Sequence, residues 1–189
     1  MKWRFLILSI SAALFMLSCG SDMYLTKTAM PPKTSMSVIL DYTNTRKLDG
    51  VFYARLAESD LNMFKPVRDA IAQELRAGFE NPNIVAVDCS GACVQETRTS
   101  PLVAYVVIYI NQGANNDYEI GSGFSVVNRG RPEAIATALD LATVYTKDAS
   151  VHRFLINPET KAKIEELKVA TASATKKWAQ ASRAADDKK

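Results

Sequence analysis

A single histidine and three cysteines are all the imidazole and thiol in this chain of 189 residues. A serine or cysteine triad would have to run through His152, and no G-x-S-x-G turn exists to present a nucleophile. His152 stands beside Arg153 and reads as a surface or capping residue. Tetrahedral zinc needs four soft ligands, and beyond Cys89 and Cys93 only that one histidine is on offer, so no metal site is expected. Glycine is sparse too, with eight in the chain. The pair in "GSGF", Gly121 and Gly123, lacks the third glycine and the lysine of a phosphate loop and reads as a strand kink, and no cofactor is expected. Long apolar runs are missing as well: "LVAYVVIYI", Leu102 to Ile110, stops far short of the roughly 20 residues of a spanning helix.

What is present begins at the N-terminus. "MKWRFLILSISAALFMLSCGSD" opens with Lys2 and Arg4, continues as an apolar stretch from Phe5 to Leu17 broken by Ser9 and Ser11, and ends in small residues. That layout is a secretory signal over 1–18, too short to serve as a membrane span. Met16, Leu17 and Ser18 before Cys19, with Gly20 after it, resemble the bacterial lipobox, Met16 taking the place of the usual leucine. The resemblance implies a diacylated Cys19 at the mature N-terminus, and a lipid-anchored protein with palmitate-type acyl chains. Gly20, where an aspartate would signal retention in the inner membrane, points to the outer membrane, with the domain facing the periplasm or the cell surface. The other reading is an ordinary secretory signal with an incidental cysteine. Loss of Lys2 and Arg4 takes the formal net charge from +3 to about +1, so no basic surface for nucleic acid is indicated.

An exported chain enters an oxidising space, where neighbouring thiols become disulfides, and "DCSGACV" is expected to hold a Cys89 to Cys93 bridge. Gly91 allows the tight loop, and so small a loop stiffens a turn more than it stabilises the fold. A redox role would ask for the C-x-x-C spacing that this pair lacks.

Residues 19–34 read as a lipidated tether kept extended by Pro31 and Pro32. An α+β domain is expected over 35–157. "SMSVILDY" is a strand from Met36 to Tyr42. In "DLNMFKPVRDAIAQELRAGFENP" Phe64, Val67, Ile71, Leu75 and Phe79 form the buried stripe of a helix, with Arg68, Gln73, Glu74 and Arg76 facing water and Pro66 in the first turn. "NIVAVD" is a short strand, "PLVAYVVIYI" a central one, and "DYEIGSGFSVV" a further strand. "RPEAIATALDLATVYTK" reads as a second helix begun by Pro132, with Ile135, Leu139, Ala142 and Tyr145 on one face. Asn157 caps and Pro158 starts a last, polar helix over 158–189, fraying into "AADDKK", with a thin stripe at Ile164, Leu167, Ala174 and Trp178. Together these give a small mixed sheet with helices on one face.

The order "SVILDYTN", "FKPVRDAIAQELRAGF", "NIVAVD", "LVAYVVIYINQG", from Met36 to Gly113, is similar to small domains of Gram-negative outer-membrane lipoproteins. These include the curli secretion channel, lipoprotein activators of peptidoglycan synthases and conjugal surface-exclusion lipoproteins. The resemblance implies a non-enzymatic subunit of a secretion, conjugation or surface-appendage assembly, partnered by other envelope proteins and open to homo-oligomerisation. Its neighbour is an activator or regulator of cell-wall synthesis. From another class, a hydrolase acting on glycan or peptide would need carboxylates facing each other across about 5 to 10 Å. Asp41, Asp88, Asp117 and Glu119 at strand ends are the candidates for a cation or a sugar, and Arg129 and Arg131 at the second helix start for an anion. Tyr105 and Tyr109 read as core. Phe52 and Tyr53 are the best candidates for an exposed contact patch. Trp178 reads as the residue that docks an otherwise solvated last helix, the sharper alternative being the contact of a projecting C-terminal arm that binds another chain.

Overall fold

Five strands and two long helices account for most of what the computed structural model describes, residues 34–40, 62–88, 100–112, 117–129, 134–148, 151 and 157–186. In chain order they are β1 (Met36–Leu40), a 3-10 turn (Asn62–Phe64), α1 (Lys65–Gly78), β2 (Ile84–Ala86), β3 (Leu102–Gln112), β4 (Tyr118–Asn128), β5 (Ala134–Thr146) and α2 (Pro158–Asp186). One sheet holds all the strands in the order β2-β1-β3-β4-β5. The first three run parallel and the last two join antiparallel, which makes the sheet mixed and the fold α+β.

Both helices lie on one face of that sheet. Met36, Val38 and Leu40 of β1, Leu102, Ala104 and Val106 of β3, and Ile120, Phe124 and Val126 of β4 alternate toward them and form one apolar core with helix residues. All five residues of β1 are buried, as expected of a strand flanked by parallel neighbours. Helix α1 contributes Val67, Ile71 and Leu75, each under 1% exposed. It ends where Glu80 turns left-handed (φ 48°) and the Asn81 amide donates back to the Arg76 carbonyl at 3.0 Å. Asn81 is itself buried, donating its side-chain amide to the Thr34 carbonyl at 2.8 Å and so pinning the entry to β1.

The C-terminal helix belongs to the same core. Asn157 caps it, accepting the Thr160 amide at 2.9 Å. Its buried residues recur as Thr160, Ile164, Leu167, Thr171, Thr175 and Trp178, a full helical stripe in which three members are threonines. Their hydroxyls are satisfied inside: Thr171 exchanges a 2.6 Å bond with Ser122 of β4, and Thr175 donates to the Thr171 carbonyl at 2.8 Å. Polar lettering on a buried face is what makes the stripe look thin in sequence. At the lower end the helices cross closely, for a Cβ on Gly78 would stand 2.5 Å from that of Ala179.

Three expectations are corrected. The segment beginning at Ala134 is strand β5, not a helix, because it pairs with β4 from Tyr118↔Thr146 to Val127↔Ala134. Arg129 is the turn residue that follows β4, and Ala134 to Thr146, expected to belong to a helix beginning at Pro132, are strand. Arg68 does not face water: it is 6% exposed and donates to the Val87 carbonyl at 2.9 Å and to the carboxylates of Asp69 and Asp88. Trp178 is not the tip of an arm. It is 3% exposed, edge-on to Phe124 (ring centroids 5.0 Å apart) and to Phe79 (6.0 Å).

The buried guanidinium carries a pH prediction. Hydrogen bonds from Arg68 first, and Lys65 second, hold the Asp88 carboxyl below the usual carboxylate range. The folded protein thus binds that proton less tightly than the unfolded chain, so the stabilisation is present above the ordinary aspartate pKa of about 3.9 and drains away as pH falls through the lower folded value. Unfolding midpoints are expected to fall more steeply below about pH 4 in the parent chain than in Asp88→Asn. Superimposable acid profiles would mean that the pair contributes nothing to stability.

Candidate interaction face

The other face of the sheet carries no helix among the described residues. Alternation turns Val103, Tyr105, Val107, Tyr109 and Asn111 of β3 that way, and the ladder places Val127, Ser125, Gly123, Gly121 and Glu119 of β4 beside them in that order. Near β1 this face is sealed: Ile39 and Val103 are buried and packed with Val87, Tyr105 and Val127. Toward the outer strands it opens, and Val85 (40% exposed), Leu139 (40%) and Tyr145 (61%) stand on it.

Two glycines shape its middle. The ring of Tyr109 lies over Gly121, where an added Cβ would come within 1.8 Å of its Cζ. Its hydroxyl reaches the Thr143 hydroxyl of β5 at 3.3 Å, and burial pushes the phenol well above its ordinary pKa, so it stays neutral. Tyr109, expected in the core, is thus half-buried and spans three strands on the helix-free side. Gly123 meets a β-bulge: three residues of β5, Leu139 to Leu141, stand opposite it, and Asp140 takes a left-handed φ of 54°. A Cβ on Gly123 would approach the Ala138 carbonyl oxygen to 2.9 Å and the Leu139 Cα to 3.1 Å. Alternation from core-facing Ala138 turns Leu139 to this side, which presents aromatic, aliphatic and hydroxyl groups.

Among the sequence candidates, Cys19, Phe52, Tyr53, Asp41, Cys89, Cys93, Arg131 and His152 lie outside the described residues. Asp88 is committed to Arg68 and Lys65. Asp117 and Glu119 sit at the start of β4, at the opposite end of the sheet from the start of β1. Among the described residues no three of His, Cys, Asp and Glu gather as metal ligands would. The helix-free face escaped sequence reasoning because its two decisive contacts, Tyr109 on Gly121 and the bulge on Gly123, depend on strand register. No helix of the described residues is long and apolar enough to cross a membrane.

No family model matches the chain, and no curated protein matches it. Among solved structures, one of a PelC dodecamer from Paraburkholderia phytofirmans aligns at TM-score 0.38 with 10% identity, covering 77% of this chain and 92% of that one. A single-substitution variant of the same protein aligns at TM-score 0.35 with 12% identity, covering 77% and 94%. Similarity of this size carries no argument about fold or role, so the reading below rests on this chain's own residues.

Proposed function

We propose that this chain is a lipid-anchored protein of the bacterial outer membrane that works by binding other envelope proteins, as a non-catalytic subunit of a secretion, conjugation or surface-appendage assembly. Cys19 carries the lipid, residues 19–34 hold the domain off the membrane, and Cys89 and Cys93 form a bridge that stiffens the turn after β2. The observation that carries the binding role is the sheet face that holds no helix among the described residues, where Leu139 and Tyr145 stay exposed beside Tyr109 while the opposite face is closed by two helices. Aromatic and aliphatic groups on a rigid sheet give a partner contact area at little cost in conformational entropy. Anchoring on a surface raises local concentration, so a contact of modest affinity suffices.

Photocrosslinking from position 145 in the native envelope tests this. A photoreactive residue replacing Tyr145 is expected to capture one defined envelope protein, whereas the same residue replacing Val169, 67% exposed on the outer side of α2, is not. This chain itself should start at Cys19 with added acyl mass, and the identity of the captured partner separates an export assembly from a cell-wall synthase. Equal, indiscriminate capture from both positions would remove the sheet face as the contact, and an unacylated N-terminus would remove the anchor.

A further inference from the structure

The two edges of the sheet are finished differently. The β2 edge is three residues long, and the Ile84 carbonyl within it is taken by the Arg76 side chain of α1 at 2.8 Å. The β5 edge runs for thirteen residues, Ala134–Thr146, with no lysine, arginine or proline and a single charge, Asp140 in the bulge. No strand pairs with its outer side among the described residues. Short length, lysine, proline and bulges keep an exposed edge from pairing with another chain, and of these β5 carries only the bulge with its aspartate.

The exposed apolar residues of β5 are spaced symmetrically along it. On the ladder with β4, Tyr145 stands opposite Glu119, Thr143 opposite Gly121, and the bulge from Leu139 to Leu141 opposite Gly123. Tyr145 (61% exposed) and Leu139 (40%) therefore lie two rungs to either side of Thr143, both on the helix-free face. A second β5 laid antiparallel along this edge, about a two-fold axis at Thr143, keeps the two helix-free faces on the same side. It sets Thr143 against Thr143, and Tyr145 of each copy beside Leu139 of the other. No like charges come opposite one another: Asp140 falls level with Tyr145, and Lys147, next after the strand, with Thr137.

We propose that the β5 edge pairs antiparallel with β5 of a second copy of this chain about a two-fold axis at Thr143, joining two five-stranded sheets into one of ten strands. The pairing rests on the binding role above, from which it takes the shared membrane surface that concentrates the copies, and it makes the chain itself the first partner on this face. Threonine against threonine and aromatic against aliphatic are favourable cross-strand neighbours, and the two exposed apolar side chains of β5 cover each other at both ends of the seam. The contact closes at two copies. A head-to-tail contact of β5 on β2 would find only three residues, with the Ile84 carbonyl already bonded. The joined helix-free faces then form one continuous surface for other envelope proteins.

The test treats the full-length chain in its native envelope with a short bis-maleimide, the parent chain giving the background from its own cysteines. Thr143→Cys is expected to yield a crosslinked dimer of this chain at least tenfold more than Thr137→Cys. Thr137 lies on the same face four rungs along the ladder, so it would stand about 27 Å from its copy. Added to Thr143→Cys, the pair Tyr145→Lys with Leu139→Lys sets like charges together across the seam and is expected to lower the dimer at least tenfold. Tyr145→Lys with Leu139→Glu sets opposite charges there and keeps it; matching thermal midpoints show that both variants fold. Equal yields from positions 143 and 137, an adduct of 143 with a different protein, or a dimer indifferent to the like-charged pair would overturn the proposal. If 143 gives no dimer while a photoreactive residue at 145 still captures another envelope protein, the pairing falls and the binding role stands. A dimer through 143 with no other protein captured from 145 sinks that role and leaves the pairing.

Discussion

Replacing Trp178 by alanine is expected to cost about 3 to 5 kcal/mol of unfolding free energy, enough to bring a domain of ordinary stability near its folding threshold. The indole is wedged between Phe124 of the sheet and Phe79 beyond α1, so it joins the two helices and the strands at one point. Its Nε1 is buried without an acceptor, so polarity contributes little and the loss is one of packing volume and edge-to-face contact. Urea unfolding of Trp178→Ala and Trp178→Phe measures it, the phenylalanine expected to recover part of the loss. Were Trp178 the exposed tip of an arm, both substitutions would stay within about 0.5 kcal/mol of the parent, and that result would sink the packing account.

Gly123→Ala comes second. The new methyl has nowhere to go because its neighbours are backbone, the Ala138 carbonyl oxygen and the Leu139 Cα, which move only if the bulge of β5 is remodelled. Overpacking of this kind costs about 1 to 3 kcal/mol. An alanine variant with unchanged stability would show that the bulge yields freely.

How much of this was legible depends on how local the cause is. Helix α1 was plain because its apolar residues recur with the helical period and Pro66 and Asn81 punctuate its ends. Strands β1, β2, β3 and β4 were legible from β-branched runs bounded by turn residues. Strand β5 was not. Ile135, Leu139, Ala142 and Tyr145 imitate a helical face, yet Leu139 and Tyr145 are the strand's exposed large apolar residues. The residues it buries deepest, Ala136, Ala138 and Val144, are small or β-branched, and bulges near Asp140 and Ile135 break the alternation that would have identified them. Pairing with β4 overrides local preference there, and pairing is invisible to a window of sequence. Helix α2 is expected with only a thin stripe at Ile164, Leu167, Ala174 and Trp178, while the structure adds Thr160, Thr171 and Thr175 to its buried face, each with its hydroxyl bonded internally. Arg68 misled for the same reason: its charge is neutralised by Asp88, twenty positions later, at a distance that only the fold sets.

One feature of the sheet bears on how the molecule comes into being. Strand β1, near the middle of the sheet, is the first element of the domain to be synthesised, yet its partner strands begin at Ile84 and Leu102. Until those residues arrive, "MSVIL" is an apolar ribbon with both edges bare, the kind of segment that sticks to other chains. Strands β3, β4 and β5, joined in sequence order, can zip locally and early, and closing the long loop back to β1 is the slow, topology-limited step. Assembly therefore runs against the direction of synthesis, and the interval in which β1 waits is where a chaperone that holds extended apolar chain would act.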